Sequence, residues 1–170
     1  MNSPGQNPRL PAGSGNKTYS NNDRERLSKS LRRGSPKNMA ASVLLVEDDP
    51  LTNRINKEFI EAADFADHVH ICVNGKEAID HLIQALHKKN VPVPDVIFLD
   101  INMPEMNGWE FLKEFRLLTP RINKPVLIFI QSSLRQEDLS QLHEFHEITG
   151  HIAKPLNLSV INHIKEKYFA

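Results

Sequence analysis

The chain has 170 residues, of which 39% are hydrophobic and 25% are charged, and it contains a single cysteine, Cys72. One cysteine excludes an internal disulfide and a cysteine-based zinc site, and no apolar run approaches the roughly 18–20 residues that span a bilayer. Lys and Arg together number 21, as do Asp and Glu, but residues 1–38 hold eight basic and two acidic side chains, whereas residues 39–170 hold 13 basic and 19 acidic. We expect a cytoplasmic protein with no membrane segment, one folded domain and a basic N-terminal region.

Residues 1–41 are rich in Pro, Gly, Ser and Asn and nearly free of aromatic side chains. Such a composition buries too little apolar area to offset the entropy lost on ordering, which predicts a disordered arm ahead of a domain over residues 42–170. Three basic residues near its end, Arg32, Arg33 and Lys37, suit nucleic acid or an acidic partner. A solvated linker or leader is the preferred interpretation, and we assign the arm no function.

From Val43 onward, five short runs of β-branched and aliphatic residues alternate with segments of helical spacing. The runs read SVLLVEDD, HVHICV, DVIFLD, PVLIFIQ and GHIAK in chain order. The apolar residues of the helical segments are Leu51, Ile55 and Phe59; Ile79, Leu82, Ile83 and Leu86; Phe111, Phe115 and Leu118; Leu139 and Leu142; and Val160, Ile161, Ile164 and Tyr168. The pattern predicts five strand–helix pairs, with Pro50, Asn74 and Asn107 near the starts of the first three helices.

Regular alternation of strands and helices predicts an α/β fold, because parallel strands need long crossovers and helices supply them. The first, third and fourth strands are apolar almost throughout and should be central. In the second strand His68 and His70 alternate with apolar residues, which places that strand nearer an edge. We therefore expect a doubly wound, five-stranded parallel sheet with helices on both faces.

Polar residues stand where four of the predicted strands end. They are Glu47, Asp48 and Asp49 after the first strand, Asp100 after the third, Gln131, Ser132 and Ser133 after the fourth, and Lys154 and Pro155 after the fifth. In doubly wound sheets, binding sites gather beyond the carboxyl ends of the strands. We expect carboxylates, a hydroxyl and an ammonium group to converge on this edge.

Clustered carboxylates repel one another and need a cation, and a set of hard oxygen ligands suits Mg²⁺ or Mn²⁺. Asp48 and Asp100 are the expected direct ligands, Glu47 would hold a metal-bound water, and the main-chain carbonyl of Asn102 would fill another position. A carboxylate beside such an ion, with Lys154 opposite and a serine hydroxyl nearby, is suited to accept a phosphoryl group.

Four stretches, VLLVEDDP, FLDINMPEMNGWEFL, IFIQSS and HIAKP, closely resemble the response regulator receiver domain of two-component signalling. The resemblance covers residues 43 to about 169 and implies a flavodoxin-like sheet of order 2-1-3-4-5. It implies that Asp100 is the phosphoacceptor and that Glu47 and Asp48 are the acidic pair that binds Mg²⁺.

The same resemblance gives roles to three more residues. Ser132 matches the switch hydroxyl that bonds the phosphoryl group, and Lys154 matches the family lysine, with the bond to Pro155 expected to be cis. His151 stands at a switch position that is often a larger aromatic residue, and a titratable ring there would alter the coupling. Leu134 stands where some relatives carry a residue that positions water, which predicts slow self-dephosphorylation.

These residues lead to the expectation of a stand-alone response regulator. It would take its phosphoryl group from a sensor histidine kinase or a histidine phosphotransfer protein, and act on an unknown output partner or relay the group onward. The chain ends after the fifth helix, so we expect no DNA-binding domain. We expect a signalling switch that catalyses only its own phosphorylation and dephosphorylation, and not an enzyme.

Other functions fit the residues less well. A phosphatase of the haloacid dehalogenase class would have a second aspartate two residues after the first, but Asn102 is at that position. A nucleotide hydrolase would have a glycine-rich phosphate-binding loop, and the sequence has none. A receiver that serves as a docking module without phosphorylation remains an alternative. Four further residues are expected to have no part in the chemistry: Asp49 caps the first helix, Ser133 is only a small neighbour of Ser132, and His143 and His146 are surface residues.

Overall fold

A computed structural model gives the structure of the protein and describes residues 39–133 and 136–170. The predicted disordered arm therefore lies outside the described residues up to position 38, and so does Leu134. The disorder of the arm and the role of Leu134 in dephosphorylation stay predictions.

Five strands and five α-helices alternate along the described chain, as the sequence pattern predicts. The strands are β1 (Ala40–Val46), β2 (Ala66–Cys72), β3 (Val96–Leu99), β4 (Leu127–Gln131) and β5 (Ile148–Ile152). The α-helices are α1 (Pro50–Ala62), α2 (Gly75–His87), α3 (Gly108–Leu118), α4 (Gln136–Leu142) and α5 (Leu158–Phe169), and a short 3₁₀ helix, Thr119–Arg121, follows α3.

The strands form one parallel sheet in the order β2-β1-β3-β4-β5, which confirms the predicted fold class and strand order. β1 and β3 are neighbours whose last residues pair as Val46 with Leu99, and β4 follows in register with Leu99 opposite Ile130. Because three adjacent strands stop at the same level, the residues that follow them emerge together. Strand β2, with its two histidines, lies at an edge as expected.

Alternate residues of the central strands feed two separate cores, one on each face of the sheet. Leu44 and Val46 point into the core under α2 and α3. Val43 and Leu45 point into the core under α1 and α5. All four side chains are at most 1% exposed, so β1 is buried on both faces, as is typical of a central strand in a parallel sheet.

The first strand begins at Ala40, two residues earlier than the predicted start of the domain. The amide of Ala40 donates to the carbonyl oxygen of Phe65 at 2.8 Å. The amides of Ala41 and Ser42 donate to Oδ2 of Asp95 at 2.8 and 3.0 Å. These partners lie far along the chain and leave no local signal in the sequence, and the domain boundary at residues 41 and 42 stays a prediction.

Helix α1 does not bury the face that its apolar spacing predicts. Leu51 is 63% exposed, whereas Asn53, Asn56 and Ile60 are buried. Leu51 shares the helical spacing of Ile55 and Phe59 but faces outward, because near the carboxyl edge of the sheet the inward positions of α1 bond polar groups.

The loop between β3 and α3 is closed by a helix cap and a glycine contact. Asn107 and Glu110 form a capping box, each side chain accepting from the other's backbone N–H at 2.9 Å. The amide of Gly108 donates to the carbonyl of Ile101 at 2.9 Å. A Cβ atom at position 108 would lie 2.5 Å from the carbonyl oxygen of Asp100 and 2.9 Å from Cα of Ile101. Only glycine therefore lets α3 start this close to the end of β3.

The glycine contact predicts that Gly108→Ala lowers the free energy of unfolding by about 1–3 kcal/mol, because backbone atoms have to move to admit the methyl group. Gly150→Ala is the matched control, since its Cβ would meet the ring of Phe129 at 3.4 and 3.5 Å, which is nearly ordinary contact. We expect that control to change stability by less than about 1 kcal/mol. Urea unfolding of both variants measures the difference, and equal losses would contradict the close approach at Gly108.

His70 on β2 and His81 on α2 stack with ring centroids 4.0 Å apart. Burial and the neighbouring His70 lower the pKa of His81 from 6.5 to about 4. The unfolded chain therefore binds more protons than the folded one between these values, so stability falls as pH drops below 6.5 and levels off below about 4.

In the His81→Phe variant, the free energy of unfolding should depend less on pH between 6.5 and about 4 than it does in the wild type. The full shift corresponds to roughly 3 kcal/mol, and because His81 is partly exposed we expect about 1–2 kcal/mol. The measurement is the free energy of unfolding of both proteins from pH 7 down to pH 4. A difference that does not change with pH would show that the stacked pair does not shift the titration of His81.

Candidate functional site

Three acidic side chains meet at the carboxyl ends of β1 and β3, as the sequence predicts. The amide of Asp100 donates to the carbonyl of Val46 at 2.9 Å, which extends the pairing of β1 and β3 by one residue. Carboxylate oxygens of Glu47, Asp48 and Asp100 lie within 4.8 Å of one another. Among the described residues they form the one group of three or more acidic, histidine or cysteine side chains with metal-ligand spacing.

Two of these carboxylates are almost fully buried. Glu47 is 2% exposed and Asp100 is 4% exposed, whereas Asp48 lies at the surface. Burial raises the pKa of Glu47 above 4.5, although hydrogen bonds from Lys154 and from the backbone amide of Asp49 oppose it. The backbone bond is 3.0 Å long and is accepted by Oε1 of Glu47. The charged form of this carboxylate thus depends on nearby cations.

Lys154 supplies one of these cations from the loop after β5. Its Nζ lies 2.5 Å from Oε2 of Glu47 and 3.2 Å from Oδ1 of Asp100. Burial disfavours the ammonium, but the bond to Glu47 and the charge of Asp100 outweigh burial and raise the pKa of Lys154 above 10.5. The peptide bond between Lys154 and Pro155 is cis, as expected.

The charges of the cluster fit a divalent cation. Three carboxylates face one ammonium group, which leaves a formal charge of −2 when all are ionised. All the side-chain donors of the acidic group are oxygens, the ligands that Mg²⁺ and Mn²⁺ prefer. Asp48, at the surface, gives the cluster an open side through which an ion can enter. The predicted contribution of the Asn102 main-chain carbonyl stays a prediction.

The predicted hydroxyl of Ser132 bonds the loop that follows Asp100, and the imidazole of His151 contacts Ser132. Ser132 is 4% exposed, and its Oγ accepts a 3.4 Å hydrogen bond from Nδ2 of Asn102. The ring of His151 is exposed, and its Nε2 lies 2.6 Å from the carbonyl oxygen of Ser132, which accepts a hydrogen bond when that nitrogen is protonated. His151 thus contacts the segment that carries the hydroxyl. Ser133 is exposed next to it.

Three residues without a predicted role in the site, Asp49, His143 and His146, behave as expected, and Trp109 packs in the core. Asp49 caps α1, with its carboxylate accepting from the amides of Leu51 and Thr52. His143 and His146 are exposed surface residues. Trp109 packs against the ring of Phe145, with centroids 5.8 Å apart.

A set of buried amides, one of which bonds the backbone of Glu47, was not predicted from the sequence. Asn53 donates from Nδ2 to the carbonyl of Glu47 at 2.7 Å and thereby holds the backbone of the acidic pair. Asn56 and Gln131 bond one another through their side chains. One signal was present: asparagines stand three residues apart on α1, and a glutamine ends an otherwise apolar strand.

Comparison with known proteins identifies the family. The model of the response regulator receiver domain matches residues 43–165. The chain therefore belongs to the response regulator receiver domain family. The chain is 28% identical over 116 residues to the response regulator Rcp1 of Synechocystis, an alignment that covers 68% of this chain and 78% of Rcp1. It is 34% identical over 102 residues to a protein-glutamate methylesterase/protein-glutamine glutaminase of Clostridium acetobutylicum, but spans only 26% of that protein and 60% of itself.

Solved structures agree with this assignment. A two component response regulator from Cytophaga hutchinsonii is 26% identical with a TM-score of 0.67, covering 76% of this chain and 96% of its own. The phosphorylated cyanobacterial phytochrome response regulator RcpA is 27% identical with a TM-score of 0.60, covering 76% and 93%. The Mn²⁺-bound form of Rcp1 is 25% identical with a TM-score of 0.61, covering 76% and 94%. Within residues 39–133 and 136–170, no helix combines the length and apolar character needed to span a bilayer.

The ion pairs of Lys154 predict that Lys154→Met lowers the free energy of unfolding at neutral pH and without divalent ions. We expect a loss of about 2–3 kcal/mol, because two buried carboxylates lose their counter-charge while Lys154 itself is partly exposed. The loss should shrink as pH falls through the raised pKa of Glu47, since protonation removes the repulsion.

Lys124→Met is the control for Lys154→Met. Its Nζ lies 2.6 Å from Oδ1 of Asp95, but that carboxylate is 22% exposed and also accepts two backbone amides. We expect a loss below about 1 kcal/mol with little dependence on pH. Urea unfolding at several pH values compares the two variants, and similar losses would contradict the dependence of the acidic cluster on Lys154.

Proposed function

We propose that Asp100 accepts a phosphoryl group from a phosphohistidine on a sensor histidine kinase or a histidine phosphotransfer protein. The observation that carries this proposal is the position of Asp100 at the end of β3, beside two other carboxylates and 3.2 Å from the Lys154 ammonium. The phosphorylated state of RcpA, a structure of the same family, supports it.

The reaction is a transfer from nitrogen to oxygen. A carboxylate oxygen of Asp100 attacks the phosphorus atom, an O–P bond forms and the P–N bond of the donor histidine breaks. The electron pair of the P–N bond returns to the imidazole, which keeps the proton on its other nitrogen and leaves as neutral histidine. The product on Asp100 is an acyl phosphate. Phosphoryl transfer of this kind needs positioning and charge stabilisation more than further covalent chemistry.

Two side chains would stabilise the transferred group. The ammonium of Lys154 already lies near Oδ1 of Asp100, so it would balance the negative charge that accumulates on the phosphoryl oxygens. The hydroxyl of Ser132 would donate a hydrogen bond to a phosphoryl oxygen. The oxygen of this hydroxyl accepts the 3.4 Å contact from Asn102, so its proton is left to donate to the phosphoryl group.

Glu47, Asp48, Asp100 and the main-chain carbonyl of Asn102 would hold Mg²⁺ or Mn²⁺. The bound ion would supply positive charge to the phosphoryl oxygens during transfer. The Mn²⁺-bound form of Rcp1 and the excess of carboxylates over ammonium groups in the cluster support this assignment. Glu47 would keep its contact with Lys154, so the lysine and the metal would share the charge of the acidic pair.

Phosphorylation would act as a switch by favouring an arrangement that the protein already samples. Ser132 and His151 would carry the change outward, since the imidazole contacts the carbonyl of the residue whose hydroxyl meets the phosphoryl group. An output partner would then bind the phosphorylated form, or a second phosphotransfer protein would take the phosphoryl group.

The proposal predicts that the protein gains one phosphoryl group from acetyl phosphate in the presence of Mg²⁺. The intact mass should not change without Mg²⁺ or in Asp100→Asn. Asp49→Asn is the matched control, because it removes a neighbouring charge while asparagine still caps α1, and we expect it to react like the wild type.

Two results would contradict the proposed function. One is a wild-type protein that gains no mass at any Mg²⁺ concentration, which would favour a docking module that works without phosphorylation. The other is an Asp100→Asn variant that still gains a phosphoryl group, which would place the acceptor elsewhere.

A further inference from the structure

Two buried amide side chains, Asn56 and Gln131, bond one another between helix α1 and strand β4. Asn56 is 0% exposed on α1, and Gln131 is 1% exposed at the end of β4. Amide groups are costly to bury unless their donors and acceptors are satisfied. Aliphatic side chains would fill the same space but could not bond the backbone N–H of Leu156, so the pair points to a role beyond packing.

The hydrogen bonds of the pair have one consistent orientation. The backbone N–H of Leu156 donates to Oδ1 of Asn56 at 3.0 Å. Because that N–H is only a donor, the Asn56 atom facing it must be the oxygen, and Nδ2 is left to face Gln131. Nδ2 of Asn56 donates to Oε1 of Gln131 at 2.9 Å, and Nε2 of Gln131 donates back to Oδ1 of Asn56 at 3.3 Å.

This network joins three segments that each carry one part of the site. Helix α1 follows Glu47 and Asp48, Gln131 precedes Ser132, and Leu156 lies two residues after Lys154. The pairing of β4 with β5 ends at Gln131 opposite Ile152, so Lys154 lies beyond the ladder. The bond from Leu156 to Asn56 ties the lysine loop to the helix at that point.

We propose that Asn56 and Gln131 are positioning residues that hold the Lys154 ammonium and the Ser132 hydroxyl at their working distances from Asp100. This inference rests on the proposed phosphoryl transfer to Asp100 and adds the residues that set its rate. Neither amide touches the phosphoryl group. Asn56 positions Lys154 through its hydrogen bond to the backbone of Leu156. Gln131 holds the side chain of Asn56 in place, and it is also the residue that precedes Ser132 at the end of β4.

The test is the rate of phosphorylation by acetyl phosphate, in which Asp100 attacks phosphorus, the P–O bond of the donor breaks and acetate leaves. We expect Asn56→Leu to lower the rate at least tenfold and Gln131→Met to lower it less, because the bond from Leu156 to Asn56 survives in the second variant. The double variant should react like Asn56→Leu alone, since the link to the lysine loop is already lost. The Mg²⁺ concentration that gives half the maximal rate should stay within twofold of wild type.

Ile60→Ala is the control for stability, because Ile60 is buried on the same helix without a bond to the lysine loop. If Ile60→Ala slows phosphorylation as much as Asn56→Leu, or if Asn56→Leu reacts at the wild-type rate, the positioning role is overturned. If Asn56→Leu does not fold, the comparison of Gln131→Met with Ile60→Ala decides in the same way.

Amide hydrogen exchange gives a readout that does not depend on phosphorylation. The Leu156 amide should exchange at least tenfold faster in Asn56→Leu than in wild type, whereas the amide of Ile161, which donates to the carbonyl of Asn157 in α5, should keep its rate. Unchanged exchange at Leu156 would overturn the link to the loop. If wild type is not phosphorylated, the proposed function fails, and exchange at Leu156 still shows whether the pair holds the loop.

Discussion

The site depends on one electrostatic constraint, which is that two carboxylates are buried side by side at the ends of neighbouring strands. Glu47 and Asp100 are nearly inaccessible to water, and the parallel pairing of β1 and β3 brings them together. Such a pair is stable only beside positive charge. Lys154 supplies one positive charge from the loop after β5, which is an edge strand of the sheet. The fold must therefore place that loop beside the carboxylates at the ends of β1 and β3.

The polar groups beneath the site follow from the same constraint. Elsewhere the sheet is covered by apolar side chains, as Ile60 covers it further along α1. Near the carboxyl edge the helix instead turns Asn53 and Asn56 inward, where they bond the backbone of Glu47 and of Leu156. Apolar residues there would leave those backbone groups without partners, at a cost of about 1–3 kcal/mol for each buried group. The helix thus fixes the acidic pair and the lysine loop together.

Most of the fold and the acidic site could be predicted from the sequence, because both depend on short-range patterns of residues. Apolar runs and helical spacing mark the elements, and the carboxyl ends of parallel strands bring Asp48, Asp100 and Lys154 to one edge. The inward face of α1 could not be predicted, because hydrophobic periodicity includes Leu51 but gives no weight to Asn56. The hydrogen-bond partner of Asn56 lies 75 residues away in the sequence. The early start of β1 depends in the same way on Asp95, a partner more than 50 residues distant.

The most direct test of phosphoryl transfer to Asp100 is chemical trapping of the acyl phosphate. The protein is incubated with acetyl phosphate and Mg²⁺, reduced with borohydride, digested and mapped by mass spectrometry. Borohydride converts an aspartyl phosphate into homoserine, so we predict homoserine at position 100 and at no other acidic position. Homoserine at Asp48 or another carboxylate, or a phosphoryl group recovered on a histidine such as His151, would contradict the assignment of Asp100 as the phosphoacceptor.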